Sequence, residues 1–269
     1  MNKTIGFIGC GKMAQAIIQG ILSSEIVRAE QIIVSANTNE TLTVVENKYS
    51  VKTTLDNREV ASKADLLFLA VKPNLYAEII KEIADNVKGE TIIITIAAGI
   101  SLSFIESNFG KAVKTVRSMP NTPSLVGEGM SALCVNDQVT SEEVTEVISL
   151  FEGFGRAEVV EEKLMDAIPA VSGSSPAYAY MFIEALADGA VMQGIPRNQA
   201  YKLASQALLG AAKMVLETGL HPGELKDNVC TPGGATIQAV ATLEKYNFRS
   251  SIISAMESCT KKSKELSQG

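Results

Sequence analysis

Three stretches of this 269-residue chain have the residue types and spacing to do chemistry. The first is Gly9-Cys10-Gly11-Lys12-Met13-Ala14, a Gly-x-Gly-x-x-Ala pattern. Before it runs the apolar Thr4-Ile5-Gly6-Phe7-Ile8, which reads as a buried strand. After it, Met13-Ala14-Gln15-Ala16-Ile17-Ile18 reads as the opening turns of a helix. At a strand-to-helix turn this spacing suits a dinucleotide. Gly9 permits the tight turn, Gly11 has no Cβ to keep a pyrophosphate from the backbone, and Ala14 lets the helix lie close on the strand. The pyrophosphate then meets free N–H groups at the positive end of the helix dipole.

The second stretch is Ser35-Ala36-Asn37-Thr38-Asn39, at the end of another expected strand. An acidic residue there would hold a ribose 2′-hydroxyl. None occurs before Glu40, which belongs to the next helix, and no arginine is present either. Small polar groups able to meet a 2′-phosphate favour NADPH, with NADH still open. The third stretch is Cys230-Thr231-Pro232-Gly233-Gly234-Ala235-Thr236, running into Ile237-Gln238-Ala239-Val240. Two glycines before a helix offer N–H groups to a small carboxylate, and Thr236 adds a hydroxyl; a turn followed by an N-cap reads equally well.

Other positions carry two readings each. Lys72 emerges from an apolar run where a cofactor or substrate would lie, or is simply solvated. Ala97-Ala98-Gly99 allow close approach. Met119-Pro120-Asn121-Thr122-Pro123 is a stiff loop that serves a ligand or a crossing into the next strand. Ser172-Gly173-Ser174-Ser175-Pro176 suits an anion or an N-cap. His221, the one histidine, reads as a turn residue before Pro222, and Tyr178 and Tyr180 as packing residues. With a single histidine, a His-based metal site or a Ser-His-Asp triad is hard to build, and no metal site is expected.

The elements that must position these residues follow from periodicity. The runs at 65–71 and 91–96 are almost wholly apolar, the mark of strands buried on both faces. Further strands are expected at 31–35, 51–53, 112–116, 131–135 and 157–160, with helices at 40–48, 57–62, 75–84, 101–107 and 141–153. Strands alternating with helices give a parallel α/β sheet. From residue 161 onward no convincing strand occurs, and 164–171, 177–192, 197–217 and 249–267 carry helical periodicity. The expected fold is therefore α/β: a Rossmann-type parallel-sheet domain over 1–160 and an all-helical domain over 161–269. Helices apolar over most of their circumference, at 178–191 and 200–215, call for a partner, and a helical dimer interface is expected.

Composition bounds the rest. The chain is 46% apolar and 20% charged with net charge −6, and it has no basic block. Nucleic acid and anionic membrane are therefore not expected partners. No apolar run reaches the length of a membrane span, and the N-terminus enters a strand without signal-peptide architecture. Four scattered cysteines without a Cys-x-x-Cys pair fit free thiols in a reducing cytoplasm.

In order along the chain, Gly6-Phe7-Ile8-Gly9-Cys10-Gly11-Lys12-Met13-Ala14, Leu67-Phe68-Leu69-Ala70-Val71-Lys72-Pro73, Met119-Pro120-Asn121-Thr122-Pro123 and Pro176-Ala177-Tyr178 form a recognisable pattern. It is completed by Leu225-Lys226-Asp227-Asn228-Val229 and Thr231-Pro232-Gly233-Gly234-Ala235-Thr236, its most specific part. The chain resembles the pyrroline-5-carboxylate reductases over essentially its whole length. Ser175 departs from the pattern, standing where many members have glycine. The resemblance implies reduction of (S)-1-pyrroline-5-carboxylate to L-proline by NAD(P)H, the last step of proline biosynthesis. It also implies a helical domain intertwined with its dimer mate, a homodimer that leaves room for a higher ring of dimers. Carried over residue by residue, Ile8, Gly9, Cys10, Gly11, Lys12, Met13, Asn57, Ala70, Val71, Lys72, Pro73, Ala97 and Ala98 would line the cofactor, beside Ser35, Asn37 and Thr38. Asn228, Gly233, Gly234, Ala235 and Thr236 would meet the substrate, in a site completed from the second subunit, with Thr236 nearest the chemistry. Two other readings are a hydroxyacid dehydrogenase of similar two-domain build, with Lys213 imitating its base, and a non-catalytic NADP-binding sensor. An imine-reductase assay separates them.

Overall fold

The apolar runs become the middle of one sheet. In chain order β1 (Ile5–Ile8) leads into α1 (Lys12–Ser23), β2 (Ile32–Ser35) into α2 (Asn39–Tyr49), and β3 (Lys52–Thr54) into α3 (Asn57–Lys63). Then β4 (Leu66–Leu69) leads into α4 (Tyr76–Ile83) and β5 (Ile92–Thr95) into α5 (Leu102–Phe109). The sheet is completed by β6 (Lys114–Met119), β7 (Gly129–Val135), α6 (Ser141–Glu152) and β8 (Gly155–Val159). The computed structural model describes residues 1–267. The strand order is β3-β2-β1-β4-β5-β6-β7-β8. Its first six strands have the order of a dinucleotide-binding sheet, with the topological switch between β1 and β4, the place where ligands bind in such sheets.

β1, β2, β4 and β5 are buried along their whole length, so both faces of the sheet must be covered by helices. On one face Phe7, Val34 and Phe68 meet Ile17, Ile18, Val45, Phe151 and Phe154. On the other Ile8, Leu67 and Ile93 meet Val60, Tyr76, Ile80 and Ile105. The rings of Phe7 and Phe68 stack at 4.6 Å between centroids. Gly20 explains how closely α1 approaches: a Cβ there would stand 2.1 Å from that of Phe154.

All neighbouring strands are parallel except β6 and β7, which are antiparallel. The parallel sheet expected from the sequence is present, and its one antiparallel pair has a simple reason. The connection from Met119 to Gly129 is a short loop with a 3-10 turn at Thr122–Val126, and a parallel crossover needs a dozen or more residues. Residues 164–171 also differ from the helix expected there. They lie among a 3-10 turn at Glu162–Leu164 and a π turn at Pro169–Gly173, where Pro169 supplies no N–H for an ordinary helical ladder.

The chain packs as two units, Met1–Ser174 with the chain from Cys259 onward, and Ser175–Ser258. The sequence places its break at 160/161, ahead of the segment that keeps 162–174 in the first unit. There the Arg117 guanidinium, on β6, donates to Asp166 Oδ1 at 2.9 Å and to Glu162 Oε1 at 3.4 Å, and Met165 is buried against Leu102 and Cys134.

The second unit contains α7 (Ser175–Met192), α8 (Arg197–Thr218), α9 (Pro222–Val229), α10 (Ala235–Lys245) and the start of α11 (Phe248–Ser267). α7 and α8 pack on each other around Ala187, Ala200 and Ala204, the buried residues of this unit. Large apolar side chains stay out in solvent, among them Met181, Met192, Leu203 and Leu216. Among the described residues no helix is long and apolar enough to cross a membrane.

Candidate functional site

The glycine turn has the geometry its spacing promised. Gly9 takes φ +90°, and its N–H donates to the Ser35 carbonyl at 3.0 Å. A Cβ there would lie 2.6 Å from the Ala70 carbonyl oxygen, so this glycine serves both the turn and the packing of β1 beside β4. Gly11 differs. It is the N-cap of α1 with an extended backbone and no side-chain cap, and a Cβ built on it meets nothing within 4 Å. The first N–H groups of α1 are therefore left to an outside acceptor, over a surface that only the missing Cβ keeps open. That fits a pyrophosphate. Ala14 is buried, Lys12 is exposed and Met13 half-buried. Burial pushes the Cys10 thiol up to about 12, so it stays neutral beside the turn.

The other sequence-derived cofactor residues gather along the same edge of the sheet. Ile8 ends β1, and Ala70, Val71, Lys72 and Pro73 follow β4, where the Ala70 N–H donates to the Ile8 carbonyl at 2.8 Å. Lys72 is exposed and precedes a 3-10 turn at Pro73–Leu75. Buried Tyr76, just beyond, donates its hydroxyl proton to the Leu69 carbonyl and fixes the end of β4. Ala97 and Ala98 follow β5; Ala97 is buried and Ala98 exposed. Beyond β2, Asn37 and Thr38 are exposed, and Thr38 caps α2 by accepting from the Thr41 N–H. Glu40 lies in the first turn of α2, as expected. Ser35, however, is fully buried and donates to Asn57 Oδ1 at 2.7 Å. It stands behind half-buried Asn57 and supports it from beneath.

The second unit holds the other candidate group. Thr231-Pro232-Gly233-Gly234 form a tight turn closed by the Gly234 N–H and the Thr231 carbonyl at 3.0 Å, with Gly233 at φ +72°. α10 then starts with Gly234 as N-cap and no side-chain cap. Thr236 is therefore inside the first turn and does not cap the helix. Its half-buried hydroxyl has no protein partner among the described residues. The N–H groups of Ala235 and Thr236 precede the first intrahelical bonds and are free for a carboxylate. Asn228 is exposed in the last turn of α9, just before this turn. It lines an apolar groove of about 500 Å³ with Met214, Val215, Leu220, Leu225 and Val229.

Several open readings close on structural roles. Asn121 is buried and ties its loop together, donating to the Ser172 carbonyl and accepting from the Met130 N–H, both at 2.9 Å. Asn121 thus anchors the crossing from β6 into β7. The Ser174 N–H is spent on the Pro169 carbonyl, so the 172–176 loop has less to offer an anion. His221 is the N-cap of α9, accepting at Nδ1 from the Gly223 N–H. Sequence reasoning missed α9 because a Pro-Gly pair opens it. It also missed Arg117 and Glu82, whose partners lie far along the chain. Among the described residues no cluster of His, Cys, Asp or Glu could hold a metal ion.

Comparison with known proteins places both halves. Residues 162–266 match the family described as pyrroline-5-carboxylate reductase dimerisation. Residues 4–99 match one described as NADP oxidoreductase, coenzyme F420-dependent. The chain is 46% identical over 268 residues to a pyrroline-5-carboxylate reductase of Escherichia coli, covering 100% of both. Among solved structures it resembles a pyrroline-5-carboxylate reductase from Coxiella burnetii, with TM-score 0.92, 36% identity and 99% of each chain covered. It also resembles the Plasmodium falciparum pyrroline carboxylate reductase with NADP bound, with TM-score 0.87, 32% identity, and 99% and 98% covered.

Proposed function

The chain belongs to the pyrroline-5-carboxylate reductase family, and from that premise we propose how its residues divide the work. It is an NAD(P)H-dependent oxidoreductase that reduces pyrroline-5-carboxylate to proline. NAD(P)H, when bound, supplies the hydride that the imine carbon accepts. The turn from Ile8 to Met13 holds the pyrophosphate on the N–H groups of α1. Asn37, Thr38 and Asn57 face the adenosine ribose, with Ser35 behind them. Ala70 to Pro73 and Ala97-Ala98 line the path toward the nicotinamide.

The substrate carboxylate takes the N–H groups at the start of α10, beside Asn228. Gly233 and Gly234 let it approach the backbone, and the Thr236 hydroxyl pairs with the ring nitrogen. A protonated imine is already electrophilic. The protein therefore has to supply position, a dry site and a hydrogen-bond partner that tolerates the change from iminium to amine. A hydroxyl both donates and accepts, and so serves before and after reduction. The observation that carries this assignment is the uncapped start of α10 with the uncommitted hydroxyl of Thr236 in its first turn.

The dimerisation domain supports an oligomer, and the homodimer is our reading, because α7 and α8 leave more apolar surface in water than one copy can cover. Four free thiols support the cytoplasm as its compartment. A net charge of −6 supports a small-molecule substrate over a nucleic-acid partner.

Steady-state kinetics with both cofactors on pyrroline-5-carboxylate test the site reading. A higher kcat/KM with NADPH than with NADH is expected, because exposed Asn37 and Thr38 present no carboxylate to a 2′-phosphate. Asn37→Asp adds one. Two unit charges about 4 Å apart repel by roughly 1 kcal/mol even in water, so the preference should move toward NADH by about fivefold or more. A wild-type preference for NADH would overturn the reading of residues 35–39.

A further inference from the structure

Asn57 is the first residue of α3, just beyond the carboxyl ends of β2 and β3, where Ser35 and Thr54 are register partners. Its amide is held from two sides. The buried Ser35 hydroxyl donates to Oδ1 at 2.7 Å, and Nδ2 donates to Glu82 Oε2 at 2.9 Å. Glu82 comes from the last turn of α4, so the chain of bonds links β2, α3 and α4. Glu82 is half-buried, and among the described residues it has no ion-pair partner; its hydrogen bond is to Asn57.

A carboxylate only accepts. It therefore dictates which end of the amide faces it. Turning the Asn57 amide over would set Oδ1 against the carboxylate, acceptor against acceptor, whereas the Ser35 hydroxyl can donate or accept and would tolerate either end. Glu82 therefore selects one orientation, and Ser35 supports it by donating to Oδ1. In that orientation one Nδ2 proton and one Oδ1 lone pair remain for a ligand at this edge of the sheet.

We propose that Glu82 is a positioning residue for the cofactor, holding the Asn57 amide in the one orientation that presents its free Nδ2 proton to the adenosine ribose. The proposal rests on the reading of Asn57 as a cofactor contact. Glu82 itself touches no ligand in this role, and its effect falls on the adenosine half of the nucleotide alone.

Glu82→Gln tests this, because the substituted amide keeps the size but can donate as well as accept and so no longer fixes Asn57. The Kd for NADPH is expected to rise about three- to tenfold, the worth of one hydrogen bond, with kcat at saturating NADPH within about twofold of wild type. The Kd for reduced nicotinamide mononucleotide, which lacks the adenosine half, should not change. Ser35→Ala, which releases the amide from its other side, should move NADPH binding in the same direction. An equal loss for both nucleotides would mean general damage and overturn the proposal. Asn57→Ala separates the two layers. If it weakens NADPH binding while Glu82→Gln does not, the positioning role fails and the Asn57 contact stands. If neither variant weakens binding, the Asn57 contact falls and the positioning role with it.

Discussion

Gly11→Val is expected to abolish nucleotide binding while the fold stays intact. A Cβ at Gly11 points into open space, with no protein atom within 4 Å, and the backbone there is at φ −71°, which any residue adopts. Valine is a poor N-cap compared with glycine, and the cost of about 1 kcal/mol is small against the several kcal/mol that hold a domain folded. The branched side chain instead occupies the surface over which the pyrophosphate must reach the first N–H groups of α1. A loss of at least a hundredfold in affinity, roughly 2.7 kcal/mol, should appear in a fluorescence titration with NADPH. The circular dichroism spectrum and melting temperature should stay near wild type. Gly9 gives the contrast: with φ +90° and the Ala70 carbonyl at 2.6 Å from its built Cβ, Gly9→Val should fail by unfolding. Unchanged NADPH affinity in a folded Gly11→Val protein would remove the turn from the cofactor site.

Thr236→Val is expected to lower kcat/KM by about ten- to a hundredfold with cofactor affinity kept. A hydrogen bond to a charged group is worth roughly 1.5–3 kcal/mol, and each 1.36 kcal/mol in a barrier is about tenfold in rate. A rival explanation, that threonine caps the helix, would give a loss of stability and normal turnover per folded molecule. The structure weakens that rival, since Gly234 is the N-cap and Thr236 lies within the first turn. Valine keeps the shape of threonine, so the melting temperature should move little. A clear drop in melting temperature with normal kcat/KM would take Thr236 out of the chemistry.

What could be read from the sequence and what could not divide along physical lines. The turn at Gly9 to Ala14 and the buried runs at β4 and β5 were legible because their signals are local: a glycine spacing, an unbroken apolar stretch. The antiparallel β7 was not, since its direction is set by the length of the loop from Met119, and strand periodicity is the same either way. Residues 164–171 looked helical by their apolar spacing, yet Pro169 and the pull of Arg117 on Asp166 set them among 3-10 and π turns. Gly233 to Thr236 were legible as a glycine turn opening a helix. The burial of Ser35 was not, and neither was the bond from Asn57 to Glu82, because such contacts join residues distant in the chain and only the folded sheet brings them together.

The central claim is that a hydride passes from the nicotinamide to the imine carbon of pyrroline-5-carboxylate. NADPH carrying deuterium at the transferable C4 position, incubated with the wild-type protein and pyrroline-5-carboxylate in ordinary water, tests it most directly by mass spectrometry of the product. Proline with one deuterium at Cδ, formed in step with NADPH oxidation, is the expected result. Oxidation of the cofactor without deuterated proline, or tight NADPH binding with no oxidation at all, would contradict it.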